Sequence, residues 1–379
     1  MRFFLALSIC LSLLFVFKDF RKAPREVSKL EEVLLKEDFG PFDEDKSLYI
    51  ILGIDYIPYE LINLFENITG IKVIVDIFDS NEILEAKLLT GEVGYDIVFP
   101  TAWPNFSRQL KVGIYQKLDK KRIDMSIFDR DILEKLMQCD ANNDYAIPFQ
   151  FGISGIGIDE KIVNKVLGNS CKKDTLSIVF DPENAAKLSQ YRISLCESQS
   201  EIFPAVLAYL GLNPESENEE DIIKAADHLK KIRSSIAKFT SFGFEDLASK
   251  NACVVLGTSG DILKVQRDNN PCVKFFSPVE GASLWIDVAA IPVKAKHLNN
   301  IYAFLKFLFH PMVIAEITNT TFRANAVQKS AKYLRKDIVD NADIYPSNKI
   351  RQKCYIEKPL SPKLERIKTR LLTQIKSNA

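Results

Sequence analysis

Apolar strands and amphipathic helices alternate along residues 48–100, and this alternation constrains the fold more than any other feature of the sequence. Residues 48–53 (LYIILG) read as a strand, residues 58–69 as a helix and residues 71–78 as a second strand. Asp79 then precedes a further helix, and the strand YDIVFP follows. Parallel neighbouring strands need a crossover between them, usually a helix, so the βαβαβ order predicts an α/β fold with a mostly parallel sheet.

The second half of the chain continues the same alternation. Further apolar strands are predicted at 145–158, 192–196, 252–258 and 284–293, and helical patterns separate them. The helices among these patterns include 202–211 and 220–238, and another helix is expected near the C-terminus in LERIKTRLLTQIK. With 379 residues, the chain is long enough for two domains or one large bilobed unit.

The charge balance argues against nucleic acid as a partner. Lys and Arg total 50, and so do Asp and Glu, which gives a formal net charge of zero. A nucleic-acid groove requires a basic surface with aromatic residues between the cations, and no long basic run of that kind occurs. We therefore expect no binding of nucleic acid.

The N-terminus has the pattern of an export signal. Residues 1–17 (MRFFLALSICLSLLFVF) place one Arg before an apolar run, which at about fifteen residues is short of the roughly twenty that a membrane span needs. We expect a cleaved signal, with an uncleaved anchor as the alternative because no A-x-A site follows. The charged residues 18–46 lack a clean period, so they are expected to form a linker.

Motifs for covalent chemistry or metal binding are missing from the sequence. None of the cysteines forms a C-x-x-C pair, and the three His residues have no spacing that fits a triad or a zinc site. The segments GISGIG and LGTSGD do not satisfy G-x-S-x-G, and no dinucleotide or Walker A motif is present. We therefore predict no enzyme activity, no cofactor and no metal.

Polar side chains stand at the ends of the predicted strands, where open α/β sheets bind ligands. Asp55, Thr101, Glu201 and Asp261 occupy such positions. Structural alternatives exist: Asp55 and Asp261 as helix caps, and Glu201 as an ordinary first-turn acid. Asp287 instead lies inside the apolar run LWIDVAAIPV, where an unpaired acid is costly, so it is either a ligand group or half of an internal salt bridge.

Several segments of the chain together resemble the extracytoplasmic polyamine-binding proteins of ABC importers, most closely the putrescine-binding type. The similarity runs from about Ser47 to the C-terminus with few gaps. The segments that carry it are LYIILGIDYIP, LFENITGIKVIVDIFDSNEILEAKLLTGEVGYDIVFP, YAIPFQFGISGIGI, EIFPAVLAYLG, VVLGTSGDI, EGASLWIDVAAIP, and ANA with IYPSNKIRQKCY.

The resemblance implies a two-lobed clamshell of the type II periplasmic binding-protein class, with a mostly parallel sheet in each lobe and the ligand in the cleft. With the chain crossing between lobes near 150, 280 and 323, we expect lobe 1 to comprise 47–149 and 280–322, and lobe 2 to comprise 150–279 and 323–379. It also implies a periplasmic monomer without cofactors. Such a protein captures a cationic amine and delivers it to an ABC permease in the inner membrane.

The family's ligand-side residues can be carried over position by position. Acids that contact the amine are expected at Asp55, Glu201, Asp261 and Asp287. Trp285 stands where the family has an aromatic wall, and Thr101 stands where it has a Ser, although one extra residue nearby makes Trp103 an alternative.

Four positions depart from the putrescine-type pattern. Gly53 and Ile54 replace a Trp and a Ser, Thr258 replaces a Trp, and Arg323 replaces a Tyr. A guanidinium about 4 Å from a bound ammonium would repel it by a few kcal/mol, unless Arg323 pairs with Glu201 or another pocket acid or points to solvent. Two alternatives therefore stay open: specificity for a basic amino acid or another zwitterion, and a membrane-anchored receptor that has lost polyamine binding.

Overall fold

The computed structural model describes residues 24–90, 94–356 and 360–377. The strands in these ranges are β1 (Ser47–Gly53), β2 (Lys72–Phe78), β3 (Ile97–Val98), β4 (Ala146–Asp159), β5 (Ile193–Leu195), β6 (Ile236–Phe239), β7 (Val254–Thr258), β8 (Val273–Phe276), β9 (Ser283–Ala290) and β10 (Ala324–Asn325). The residues of the predicted signal or anchor, 1–17, lie outside the described part of the chain.

Helices cover both faces of these strands. In chain order they are α1 (Pro24–Leu34), α2 (Tyr59–Thr69), α3 (Asn81–Thr90), α4 (Ser107–Lys111), α5 (Arg130–Leu136), α6 (Glu160–Leu167), α7 (Ser177–Phe180), α8 (Pro182–Leu188), α9 (Gln199–Tyr209), α10 (Glu219–Ile232), α11 (Gly243–Ala248), α12 (Ser259–Asp268), α13 (Leu298–Leu308), α14 (Pro311–Thr321), α15 (Lys336–Val339), α16 (Asn348–Arg351) and α17 (Pro362–Ser377). Short 3-10 turns follow at Met125–Ile127, Ser189–Tyr191, Arg233–Ser235 and Gln328–Tyr333.

The strands form one continuous sheet in the order β2-β1-β3-β9-β4-β7-β5-β6, with β8 and β10 also paired to β4. The outer pairings, β1 with β2 and β3 and β5 with β6 and β7, are parallel. We call the half around β1, β2 and β3 lobe 1, and the half around β5, β6 and β7 lobe 2. The predicted α/β fold with helices on a mostly parallel sheet is confirmed.

The long antiparallel strands β4 and β9 connect the two lobes. The first residues of β4, from Ala146, pair only with β9, whereas its last residues, Ser154 to Ile158, pair with β7 of lobe 2. β9 in turn meets β3 of lobe 1 through Ala290. Each strand thus belongs to both halves of the sheet, and β10 pairs beside them with Phe151 and Gln150. A bend of β4 and β9 would therefore move one lobe relative to the other.

Two hydrophobic clusters fill the interior. The first surrounds the lobe 1 strands and contains a stack of aromatic rings in which Phe65 lies 5.0 Å from Phe304 and 5.3 Å from Phe307, centroid to centroid. The second lies behind β5 and β7 and includes Phe180, Phe203 and other fully buried side chains. Burial of these large apolar groups is the main stabilising term of each lobe.

The predicted linker at 18–46 is wrong for the residues that the structure describes. Helix α1 (Pro24–Leu34) lies within it, and Leu30, Leu34 and Phe39 are buried in the first cluster. Asp43 also accepts hydrogen bonds from the backbone of Asn299 and Asn300 at the start of α13. Leu30 and Leu34, four positions apart, lie on one apolar face of the helix. The charged residues around them made this pattern hard to recognise in the sequence.

The segment after 323 also departs from the predicted division. The predicted lobe 2 includes all of 323–379, yet Val327 pairs with Phe128 of lobe 1, and Arg351 lies 3.4 Å from Asp129. From this segment, Tyr355 and α17, near the end of the chain, pack into the second cluster. Isolated apolar residues in short turns decide this packing, and they carry no periodic signal in the sequence.

Among the described helices, none is by itself long and apolar enough to cross a membrane. The pair α13 and α14 passes such a test of length and composition together, but the two helices are bent by 67° relative to one another.

Candidate functional site between the lobes

A cavity of about 650 Å³ lies between the two lobes, beside the connecting strands. Lobe 1 contributes the loop before α3 and the residues after β3, and lobe 2 contributes the first turns of α9 and α12. β9 forms the floor, Arg323 lies on the wall beside Asp261, and α17 closes one side. Six of the seven predicted site residues line this cavity: Thr101, Glu201, Asp261, Trp285, Asp287 and Arg323.

Asp287 lies at the floor and is 3% exposed. Its Oδ2 accepts a hydrogen bond from the Tyr56 hydroxyl at 2.7 Å, and its Oδ1 accepts one from Thr101 Oγ1 at 2.7 Å. Thr101 is itself held by Asn81, whose amide donates to Thr101 Oγ1 at 3.0 Å. Burial raises the pKa of Asp287, while the hydrogen bonds from Tyr56 and Thr101 act to lower it. Two hydroxyls, rather than a salt bridge, hold this acid.

Asp261 and Arg323 form an ion pair at the wall of the cavity. The Arg323 Nη2 atom donates to Asp261 Oδ1 at 2.8 Å, and Thr258 Oγ1 donates to the other oxygen at 2.6 Å. Burial acts to lower the pKa of Arg323, but Asp261 and other neighbouring groups raise it overall, so the guanidinium stays charged. The predicted alternative in which Arg323 pairs with a pocket acid is therefore what the structure shows, and the acid is Asp261, which does not cap α12.

Glu201 lies in the first turn of α9, as expected for a first-turn acid, and faces the cavity. Burial raises the pKa of Glu201 to about 7, and the neighbouring carboxylates Glu82 and Asp261 add to the shift. Glu82 belongs to lobe 1, so the repulsion acts across the cleft between the lobes. A cation placed between Glu201 and Glu82 would relieve it.

Aromatic side chains line the floor and one wall. Trp285 and the buried Trp103 both border the cavity, and the indole Nε1 of Trp285 has no hydrogen-bond partner among the described residues. The ring of Tyr56 lies against Gly53, where an added Cβ would stand 2.4 Å from its Cε1 atom. The absence of a side chain at Gly53 therefore lets Tyr56 occupy this space, and Tyr56 supplies an aromatic face that the sequence pattern alone did not predict.

Asp55 lies outside this cavity, in contrast to the predicted ligand role. It takes a left-handed conformation (φ 56°), which Asp tolerates better than most residues, and it borders an adjoining cleft. Its carboxylate is 67% exposed and pairs with Lys264 of lobe 2 at 3.0 Å. It does not cap α2, which begins after Pro58 without a side-chain cap. Ile54, beside it, is exposed as well.

Negative charge dominates the cavity. Its lining includes six acids and two cations, Arg323 and Lys376, and each cation is already paired, Arg323 with Asp261 and Lys376 with Glu197. The four acids without an ion-pair partner among the described residues are Asp79, Glu82, Glu201 and Asp287. The cavity therefore presents an unbalanced negative field in a partly water-excluded space, which attracts a cation.

Within the described residues, no group of three or more His, Cys, Asp or Glu side chains is arranged to hold a metal ion. The acids of the cavity are instead spread over its two walls and its floor. This arrangement suits an extended organic cation with hydrogen-bond donors better than a compact ion.

Sequence reasoning missed several residues of the cavity. Tyr56 comes from the loop after β1, Asn81 and Glu82 come from the first turn of α3, and Thr369 and Lys376 come from α17 at the end of the chain. Tyr56 directly follows the singled-out Asp55, so its position beside a strand end was a usable signal. No local pattern indicated that α17 would reach the cavity.

Two lobes joined by paired strands, with a cleft between them, form the periplasmic binding-protein fold, and solved structures share it. A putative spermidine/putrescine ABC transporter from Listeria monocytogenes superposes with a TM-score of 0.79 at 24% identity, covering 88% of this chain and 100% of that one. A spermidine/putrescine substrate-binding protein from Streptococcus pneumoniae gives 0.75 at 22% identity, covering 87% and 98%.

Sequence comparison identifies the family. The chain is 37% identical to a putrescine-binding periplasmic protein of Pseudomonas aeruginosa, over 88% of this chain and 93% of the relative. It is 36% identical to the putrescine-binding periplasmic protein of Escherichia coli, over 88% and 92%. No family model matches the chain. The chain belongs to the family of putrescine-binding periplasmic proteins, which confirms the predicted resemblance.

Proposed function

We propose that this protein captures a protonated amine of the polyamine class in the cavity between its lobes and delivers it to an ABC permease in the inner membrane. The observation that carries the proposal is the set of four cavity acids without an ion-pair partner among the described residues. Of these acids, Asp287 is buried and Glu201 is half-buried, whereas Asp79 and Glu82 are exposed and add negative charge. Burying the carboxylates of Asp287 and Glu201 is costly unless a cation neutralises them, and a bound amine supplies that cation.

The geometry suits an amine in three respects. Asp287 on the floor can accept charge-assisted hydrogen bonds from an ammonium. Glu201 of lobe 2 and Glu82 of lobe 1 can attract positive charge on the ligand from the two sides of the cleft. Trp285 covers methylene groups of the amine and adds cation-π attraction of roughly 0.5 to 2 kcal/mol. Because the acids belong to both lobes, an amine that bridges them favours closure along β4 and β9.

Isothermal titration calorimetry of the purified protein with putrescine, cadaverine, agmatine and spermidine tests the proposal. We expect saturable binding of one molecule per chain for at least one of these amines. If none of the four gives heat or a thermal shift while the protein is folded, the proposed function is wrong. Binding of a basic amino acid but of no amine would support the altered specificity instead.

The cellular context is proposed on the relatives, which are periplasmic binding proteins by name. We infer that residues 1–17 direct export and are removed, and that the mature protein is a monomer that meets the permease when closed. The mass of the protein from a periplasmic extract tests cleavage, and light scattering tests the monomer. A retained N-terminus would favour the anchored form.

A further inference from the structure

Arg323 occupies a place in the cavity that has the properties of an amine subsite. Its guanidinium meets a carboxylate at 2.8 Å in Asp261 and lies 5.1 Å from the ring centroid of Tyr56. The Arg323 side chain is only 13% exposed. A carboxylate and an aromatic face are the two groups that recognise a ligand ammonium, and here a side chain of the protein takes both.

The local backbone holds this arrangement in place. Gly260 lies under the Arg323 side chain, and a Cβ at that position would stand 2.9 Å from Arg323 Cγ. Thr258 donates to the second oxygen of Asp261, so both carboxylate oxygens already have a donor. The end of β7 and the first turn of α12 therefore hold the Arg323–Asp261 pair in place.

The pair changes what the cavity offers to a ligand. An ammonium that approached Asp261 would meet a carboxylate whose charge is already balanced, with the positive guanidinium beside it. The Arg323 Nη1 atom is buried and has no hydrogen-bond partner among the described residues. A protonated amine carries only donors and cannot satisfy this atom. The ligand segment next to Arg323 is therefore disfavoured if it carries an ammonium.

We propose that Arg323 is a specificity-determining residue that acts as an internal cation. The Arg323 guanidinium occupies the subsite at Asp261 and neutralises this acid. The cavity therefore favours a ligand with one positive charge fewer than it would if Asp261 were free. The unpaired acids Asp287 and Glu201 remain for the ligand. This inference rests on the proposed function, since it assumes that an amine binds between the lobes.

The test compares butylamine with putrescine, which share a four-carbon chain and differ by one ammonium group. The measured quantity is the ratio of their dissociation constants, by calorimetry, in the wild-type protein and in Arg323→Gln. Loss of the guanidinium frees Asp261 for the second ammonium, so we expect the preference for putrescine to rise at least tenfold, which is about 1.4 kcal/mol. An unchanged ratio overturns the proposal.

Matched variants isolate charge and position. Arg323→Lys keeps the charge and should retain the wild-type ratio. Arg130→Gln removes an exposed arginine that pairs with Glu134 far from the cavity and should change nothing. The double variant Arg323→Gln with Asp261→Asn removes the freed acid and should bring the ratio back towards the wild-type value. A double variant that keeps the high ratio overturns the role of Asp261.

A second measurement serves if Arg323→Gln does not fold. In Asp261→Asn alone, the guanidinium of Arg323 loses its counter-ion and repels the two charges of putrescine more than the single charge of butylamine, so the preference for putrescine should fall. A preference for putrescine that stays the same or rises in Asp261→Asn contradicts the proposal. If the wild-type protein binds neither amine nor the longer polyamines, the proposed function itself fails, and that outcome is distinct from an unchanged ratio.

Discussion

Asp287 has the environment of a ligand-binding acid at the scale of single residues. It is buried at the floor of the cavity, both of its oxygens accept hydrogen bonds from hydroxyls, and no described residue forms an ion pair with it. Hydroxyl donors orient the carboxylate without cancelling its charge. Each oxygen keeps a free lone pair for a further donor, and an ammonium supplies one.

We therefore predict that Asp287→Asn weakens amine binding by more than tenfold, because a bound ammonium would lose the charged partner that compensates its desolvation. Calorimetry with putrescine measures the change. Asp227→Asn is the matched control, since Asp227 lies on the exposed face of α10 and pairs with Lys230. Unchanged affinity in Asp287→Asn would remove Asp287 from the binding site.

Glu201 predicts a pH dependence of binding. Burial and the neighbouring acids raise its pKa to about 7, so the carboxyl is largely neutral below that pH and charged above it. The charged form binds a cation, so affinity should rise with pH through this range, by about tenfold from pH 6 to pH 8. Calorimetric titrations with putrescine at these two pH values measure the change.

Glu201→Gln should flatten this dependence, while Glu134→Gln on the surface of α5 should preserve it. A wild-type affinity that is the same at pH 6 and pH 8 contradicts the assignment of Glu201.

The sequence made these acids visible but not their partners. Asp287 stood out because it interrupts an apolar strand, and Glu201 because it follows one. The hydroxyl groups of Tyr56 and Thr101, which hold Asp287, come from 231 and 186 positions away. Contacts between residues so far apart in the sequence depend on the tertiary fold, which local sequence patterns do not reveal. Asp55 also lies at a strand end, but its carboxylate forms an ion pair with Lys264 at the surface and does not enter the cavity.

At the scale of elements, Gly53 at the end of β1 leaves the space that the ring of Tyr56 occupies beside the cavity. Tyr56 packs on this glycine and reaches Asp287 from there. We predict that Gly53→Ala displaces the Tyr56 ring, weakens putrescine binding, and lowers the free energy of unfolding by roughly 1 to 3 kcal/mol, as overpacking commonly does. Calorimetry and urea unfolding measure the two effects.

Gly94→Ala is the control, since a Cβ there meets no atom within 4 Å. If Gly53→Ala binds and unfolds like the wild-type protein, the packing of Tyr56 on Gly53 is not important for the site.

Most elements were predictable from periodicity, and the exceptions have physical reasons. The helix predicted at 58–69 and the strand at 145–158 appear as Tyr59–Thr69 and Ala146–Asp159. The predicted helix 220–238 instead ends at Ile232 and continues into β6 (Ile236–Phe239). A strand of four residues is too short to override a helical pattern that precedes it. Its pairing with β5, a tertiary contact, fixes it as a strand.

At the scale of the whole molecule, the site is assembled from distant parts of the chain. Loops near residue 80, the turn at Asp261, the connecting strand β9 and α17 at the C-terminus all border one cavity. The family resemblance predicted the cleft correctly because the residues at the strand ends match the family. It did not predict which lobe the segment after 323 packs against, because that packing depends on individual apolar residues in short turns, such as Val327.

The two tryptophans of the chain, Trp103 and Trp285, both line this cavity, so intrinsic fluorescence should report closure of the lobes. We predict a saturable change in tryptophan emission on titration with putrescine, with the same dissociation constant as calorimetry. Trp285→Phe should reduce the amplitude and leave part of the signal to Trp103. An emission that stays constant while calorimetry records binding would place the amine elsewhere.

The central claim is that an amine binds between the lobes with its ammonium on Asp287, and a crystal structure of the amine complex tests it most directly. We predict a ligand nitrogen within hydrogen-bond distance of an Asp287 oxygen, the chain of the amine beside Trp285, and the Arg323–Asp261 pair intact. An amine bound outside this cavity, or one held by Asp261 with Arg323 displaced, would contradict the account.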